Sequence, residues 1–281
     1  MTKSATTEPA IAVDGLSKTF RTGRRGHSVA ALDSVSLTVE KGTCLAVVGE
    51  SGSGKTTLAR IIVGLERADS GSVTVGGVSV GGRAGRRERR RRAAHIQMVF
   101  QDPQSSLNRR LRVSTAVDEV LKVHTTLSRR ERAARALDLF EQVGLEARHL
   151  RALPSELSGG QRQRVAIARA LAAEPEVIVL DESVAALDVT VQAQILTLLA
   201  ALRVEKNLTY LFITHDLSVV QLVADDVIVM RKGEIVERGK TAEVLTTPAH
   251  PYTRLLLECA PRPGWKPQRG VISALRNEAA L

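Results

Sequence analysis

Brief apolar runs alternate along this chain with longer stretches whose apolar residues recur every three or four positions. Cys44–Val48, Ile96–Phe100, Val177–Leu180, Tyr210–Ile213 and Val227–Met230 are apolar throughout or nearly so. Runs of this kind read as strands buried on both faces of a parallel sheet. Thr57–Val63 reads as a helix that Gly64 stops. Ser128-Arg129-Arg130-Glu131 forms a capping box, Ala133, Leu137 and Phe140 follow as an apolar stripe, and Gly144 ends that helix. Residues near 102–157 are expected to be mostly helical, and a further helix runs from Ser158 through Val165, Ala168 and Leu171. Ile11–Val13 and Val35–Val39 read as short strands of an N-terminal antiparallel layer. Val227–Met230 reads as the last strand, with Ile235-Val236 just past a Lys232-Gly233 turn. Strands alternating with helices predict an α/β fold.

The run Cys44–Val48 leads directly into Gly49-Glu50-Ser51-Gly52-Ser53-Gly54-Lys55-Thr56-Thr57, which fits G-x-x-x-x-G-K-[ST]. The motif lies in the context its chemistry needs, strand then loop then helix. Gly49, Gly52 and Gly54 permit backbone angles that turn consecutive N–H groups onto an anion, and the helix N-terminus adds its dipole. Lys55 is placed to reach the β- and γ-phosphates of a nucleotide, and the Thr56 hydroxyl to hold Mg²⁺. The bland alternative, a flexible Gly/Ser turn, does not explain the strand and helix on either side. The guanine-reading Asn-Lys-x-Asp pattern is absent, which weighs against a GTPase.

Other strand ends carry matching chemistry. Val177–Leu180 ends in Asp181-Glu182, and carboxylates at the C-terminal end of a parallel strand face the ligand crevice. Asp181 is placed to support the metal. Glu182, one residue on, is free to act as general base toward an attacking water. Alone, Asp-Glu after a strand would be an ordinary acidic turn. Tyr210–Ile213 ends in Thr214-His215-Asp216, and Ile96–Phe100 in Gln101. A His there can bond the γ-phosphate, and a Gln can reach metal or water and move when the γ-phosphate leaves.

Leu157-Ser158-Gly159-Gly160-Gln161 is a second glycine-rich phosphate contact. Ser158 and Gln161 also fit a capping box, and a capped helix start is itself an anion site. Capping alone leaves two adjacent glycines unexplained. One nucleotide offers no phosphate to both glycine motifs of one chain, so the pair implies two chains sharing two nucleotides face to face.

Composition narrows the classes. The chain has 281 residues, enough for one large α/β domain. Its two cysteines, Cys44 and Cys259, form no pairing motif, as expected of a reducing compartment. No apolar run approaches the ~20 residues that span a bilayer. The start MTKSATTEP lacks a signal peptide's apolar core. The expected location is therefore cytosolic, or docked to a membrane through partners. Net charge is +10, much of it in Arg83–Arg92, read as a solvated loop. Contact of that run with lipid headgroups or nucleic acid is the alternative. Aromatic residues are only 2% of the chain, too few for a single-strand stacking platform, so nucleic acid is not expected as a partner.

Taken in order, the phosphate loop Gly49–Thr57, Gln101 in VFQDP, Leu157–Gln161, Asp181-Glu182, Ala185-Ala186-Leu187-Asp188 and His215 resemble the ATP-binding subunits of ABC transporters. The resemblance spans most of the chain. It implies a P-loop NTPase core with a RecA-like, mostly parallel sheet, an N-terminal antiparallel β layer and an inserted helical subdomain at about 102–164, within a domain covering 1–246. It implies ATP and Mg²⁺ as ligands, with Thr56, Gln101 and Asp181 toward the metal and Glu182, Gln101 and His215 catalytic. Ser158, Gly159, Gly160 and Gln161 would meet the nucleotide held by a partner chain. The family stacks adenine on an aromatic residue upstream of the phosphate loop. Phe20 is the aromatic residue preceding Gly49, and a core position beside Val13 and Leu16 is its competing reading.

Three positions depart from the family pattern. Ser183 stands where many relatives have Pro, Ala185 where many have Ser, and Gln104 where they have an aromatic. The missing Ser hydroxyl removes a contact that couples the two sites. The tail 247–281, with Thr247-Pro248-Ala249-His250-Pro251-Tyr252-Thr253-Arg254-Leu255-Leu256-Leu257, resembles that of the oligopeptide, dipeptide and nickel importer group, as do VFQDPQSSLN and DVTVQAQIL. On its own residues it reads as a Pro-delimited surface helix marking lineage only. The implied complex has two integral membrane subunits, a second ATP-binding subunit (a related chain) and an external solute-binding protein, with this chain peripheral on the cytoplasmic face. Nickel chelates, glutathione or other solutes are alternative cargoes. A non-transport ATPase of translation or DNA repair is disfavoured by the single cassette, the lack of long heptads and the lack of cysteine clusters. A small-molecule kinase leaves LSGGQ unexplained.

Overall fold

The computed structural model describes residues 8–22, 27–82, 85–102 and 106–259. Gln104, part of the Arg83–Arg92 run and the end of the tail lie outside them. The central sheet has six strands: β3 (Cys44–Val48), β6 (Ile96–Val99), β7 (Val177–Asp181), β8 (Thr209–Ile213), β9 (Asp226–Arg231) and β10 (Glu234–Lys240), in the order β10-β9-β3-β8-β7-β6. All neighbours run parallel except the β9–β10 hairpin. A second, four-stranded antiparallel sheet has the order β2-β1-β4-β5, from β1 (Ile11–Thr22), β2 (His27–Val39), β4 (Ser70–Val75) and β5 (Val78–Ser79).

The continuous apolar runs are explained by burial on both sides. In β7, Val177 and Val179 join one core while Ile178 and Leu180 join another; in β8, Leu211 and Ile213 divide from Tyr210 and Phe212 in the same way. This is the period of two of a strand. The first core holds helix α1 (Lys55–Ile62) between the two sheets, through Leu58 and Ile62. The second packs α3 (Val113–His124), α4 (Arg129–Gln142), α5 (Gly159–Leu171) and α6 (Val189–Lys206) on the other face. It is continuous from Val117 and Phe140 through Ile167 to Phe212, so α5 joins the helical segment to the sheet. A third small core gathers α7 (Leu217–Val223), α8 (Thr241–Thr246) and α9 (Pro251–Cys259) around Ala46, Val48 and Val229.

Three expectations need correction. The first two strands are long, not short: β1 and β2 pair from Ile11↔Val39 to Thr22↔His27. Register shifts interrupt that ladder near Val13, Leu16 and Lys18, and such bulges erase the alternation by which a strand is read. The parallel strand β9 is not the last, because Lys232 (φ 49°) and Gly233 (φ 89°) make a primed-type turn into β10, whose charged residues suit an exposed edge. The Arg-rich run is a helix, α2 (Arg86–His95), with no buried residue. Arginine is a good helix former, and Glu88 pairs with Arg92 one turn on at 3.3 Å. Arg92 also donates to the Val80 and Gly81 carbonyls at 2.8 Å each. Both capping boxes, Ser128–Glu131 and Ser158–Gln161, form as expected.

Candidate active site

The C-terminal ends of β3, β8, β7 and β6 lie side by side, and each delivers one piece of the site. After β3 the chain turns through Gly49–Gly54 into α1. A Cβ at Gly49 would lie 2.2 Å from the Met230 carbonyl, and one at Gly54 (φ 106°) 2.3 Å from the Ala31 carbonyl. No larger residue fits either place. Gly54 is the N-cap of α1 and offers no side-chain cap, so the first-turn N–H groups remain available to an anion. Lys55 Nζ donates to the Gly49 and Glu50 carbonyls at 2.8 Å each and lies 3.4 Å from Ser53 Oγ. Burial lowers the Lys55 pKa, opposed by Glu182, Asp181 and Glu50. The ammonium is thus held folded over its own loop, close to where phosphates would lie.

Thr56 Oγ1 donates to Asp181 Oδ1 at 3.4 Å across the β3–β7 gap. Burial raises the Asp181 pKa, as does the neighbouring Glu182 charge, while Thr56 pulls it down. A hydroxyl, a carboxylate and the nearby Gln101 amide form a hard oxygen donor set, the kind Mg²⁺ takes.

Glu182 sits at φ 45°, in the left-handed region that non-glycine residues avoid at a cost of roughly 1–2 kcal/mol. Its N–H bonds to the Ile213 carbonyl at 2.9 Å, which ties the strained turn to β8. The side chain bridges two neighbours: Gln101 Nε2 donates to Oε2 at 2.7 Å, and His215 Nδ1 lies 3.2 Å from Oε1. The Glu182 side chain is 19% exposed and that of His215 59%. Thus Gln101, Glu182 and His215, read separately from three strand ends, meet as one hydrogen-bonded group.

Phe20 is 37% exposed, so the core reading fails. Lys18 Nζ lies 5.1 Å from its ring centroid. Phe20 pairs with Val29 on β2, two residues before Ala31, whose carbonyl crowds Gly54. The ring therefore stands on β1, partly exposed and paired with the strand that abuts the phosphate loop.

The hydrogen bonds of the Ser158–Gln161 segment stay within its own helical region and do not reach Gly49–Thr57. Ser158 Oγ accepts from Gln161 N at 3.2 Å, Gln161 Oε1 accepts from Ser158 N at 2.9 Å, and Gln161 Nε2 meets His149 Nε2 at 3.2 Å. A contact missing from the sequence reading explains Gly160: a Cβ there would lie 2.4 Å from Val191 Cγ1. The start of α5 thus abuts the start of α6, which Asp188 caps by accepting from Val191 N at 2.9 Å. Ser183 is buried, and its Oγ has no partner among the described residues.

The sequence reading also missed Tyr252. Its hydroxyl accepts from the Glu50 N–H at 3.1 Å, which brings the tail to the phosphate loop.

The ABC transporter family model matches residues 32–185, and the model for the oligopeptide/dipeptide transporter C-terminal region matches residues 236–279. A putative peptide import ATP-binding protein of Brucella abortus is 45% identical over 270 residues, covering 95% of this chain and 81% of the relative. The oligopeptide transport ATP-binding protein OppF of Bacillus subtilis is 44% identical over 258 residues, covering 92% and 84%. Among solved structures, a dimeric ATP-binding cassette in a post-hydrolysis state with ADP and Pi superposes with a TM-score of 0.74 at 32% identity, covering 82% of this chain and 98% of that one. By the family match across more than half its length, and by relatives 44% and 45% identical across 92% and 95% of it, the chain belongs to the ABC transporter family.

Proposed function

We propose that this chain is the ATP-hydrolysing subunit of an importer of peptides or related small solutes, dimerising on ATP to drive separate membrane subunits. The observation that carries the ATPase reading is Glu182, held by Gln101 and His215 beside Asp181 and the phosphate loop. The import reading is supported by similarity to peptide-import ATP-binding proteins and by the tail match.

On this reading the loop N–H groups and the α1 N-terminus receive the phosphates, and Lys55 exchanges its carbonyl partners for β- and γ-phosphate oxygens. Thr56, Gln101 and Asp181 would hold Mg²⁺, which when bound neutralises phosphate charge. Gln101 and His215 hold the Glu182 carboxylate in place, and its oxygens keep lone pairs to accept from a water. Glu182 then accepts that water's proton as its oxygen attacks the γ-phosphorus and the bond to ADP breaks. His215 turns to the γ-phosphate and registers its loss. Ser158–Gln161 closes on the nucleotide of a second ATP-binding subunit, a related chain. Residues 1–246 form the ATPase domain, with about 102–164 as a segment that swings with the signature, and 247–281 form the tail. Among the described residues no helix is long and apolar enough to cross a membrane. Two membrane subunits and an external solute-binding protein complete the complex, with this chain peripheral on the cytoplasmic face.

Phe20 stacks on adenine. Replacing it with Ala should weaken ATP and GTP binding alike by about 1–3 kcal/mol, because a ring face does not read base edges. The melting temperature should barely move, since the ring is exposed. Nucleotide titration beside thermal melting checks both; normal binding with a much lower melting point would return Phe20 to the core.

Purifying the tagged chain from its native membrane tests the whole reading. Integral membrane subunits and a solute-binding protein are expected with it. Recovery with ribosomes or DNA and no membrane protein would contradict it.

A further inference from the structure

The tail motif His250-Pro251-Tyr252-Thr253 has a physical role at each of its first three positions. Pro251 opens α9 as its first residue, where a missing N–H costs nothing. His250 Nδ1 accepts from the Tyr252 N–H at 3.1 Å and so caps the helix. Tyr252 is 3% exposed, packs with Val48 and Val229, and points its hydroxyl at the phosphate loop. The approach to α9 is fastened independently. Glu237 of β10 accepts from the Ala249 and His250 N–H groups at 2.7 and 3.1 Å, and Arg254 donates to the Pro248 and Ala249 carbonyls at 3.2 and 2.9 Å. The Arg231 guanidinium lies 5.1 Å from the Tyr252 ring centroid, within cation–π range.

This fastened ring ends in one functional contact. The Tyr252 hydroxyl accepts from the Glu50 N–H, and the carbonyl of the same Glu50 accepts from Lys55 Nζ. At the far side of the loop, the Gly233 N–H bonds to the Ser53 carbonyl at 3.0 Å. The phosphate loop is therefore pinned at its first turn by the tail and at its middle by the β9–β10 turn. A loop that must present several N–H groups to one anion gains from being set before the anion arrives.

We infer that Tyr252 is a positioning residue for ATP, its hydroxyl holding the first turn of the phosphate loop in the shape that binds phosphate. Tyr252 acts through the Glu50 backbone. The inference rests on the ATPase reading and goes beyond it, because the tail then serves the chemistry of its own chain.

The test is Tyr252→Phe in the full chain, which removes one oxygen and keeps the ring. ATP and ADP affinity, KM and kcat are measured alongside the melting temperature. The KM for ATP and the dissociation constants of both nucleotides should rise about three- to tenfold, the worth of one hydrogen bond, while kcat stays within about twofold. Binding and KM within about twofold of wild type, whatever the melting temperature does, would overturn the inference and leave Tyr252 a packing residue. Lys55→Ala runs in the same titration and should lose most nucleotide binding. Wild-type-like binding by Lys55→Ala would overturn the phosphate-site reading itself, and this inference with it.

Discussion

Glu182→Gln should bind ATP like the wild type and turn it over roughly 10²–10⁴-fold more slowly, the usual span for a positioned general base. The substitution keeps the size, and the remaining amide oxygen can still accept from Gln101. What it removes is the capacity to accept a proton. Closure precedes hydrolysis, so the variant should accumulate as an ATP-bound dimer that light scattering detects. Hydrolysis at the wild-type rate would sink the assignment. Normal turnover after His215→Ala would not, because His215 is assigned to sensing the γ-phosphate rather than to taking the proton.

The second large effect is expected at Ser158. Its hydrogen bonds lie within the start of its own helix, and the residue is exposed. Ser158→Arg should abolish ATP-driven dimerisation while leaving nucleotide binding by the monomer within about twofold. Loss of the cap alone costs about 0.5–2 kcal/mol of stability. Ser158→Ala loses the same cap without the bulk, so it separates the two effects. It should melt slightly lower and still dimerise. Equal loss of monomer binding and of dimerisation in Ser158→Arg would mean that the segment serves its own site or only the fold.

What could be read from the sequence follows from where apolar pattern and local chemistry coincide. The parallel strands were legible because both their faces are buried, and four of them lead, at their C-terminal ends, to the residues proposed to carry chemistry: Gly49, Gln101, Asp181 and His215. The capping boxes at Ser128 and Ser158 were legible because their partners lie three residues apart. The helix Arg86–His95 was not, since it buries nothing and so has no apolar stripe. The edge strand Glu234–Lys240 hid for a similar reason, and the bulges near Gly15 cut the first strand short on paper. Two features of the site depend on distant contacts. Gly160 is small because Val191 approaches it, and Tyr252 meets Glu50 across 202 positions of chain through a single hydroxyl. No local spacing encodes either. The tail motif was visible in the sequence, but its contact with the phosphate loop was not.

The central claim is that ATP hydrolysis at Glu182 powers inward movement of a peptide. Uptake of a labelled short peptide is the direct measurement, made in the native cells with the chromosomal copy carrying either Glu182 or Glu182→Gln. Accumulation should depend on ATP and fall to background in the variant, while the protein stays at wild-type abundance in the membrane fraction. Unchanged uptake of peptides and related small solutes in the variant, or ATP-dependent movement outward, would contradict it.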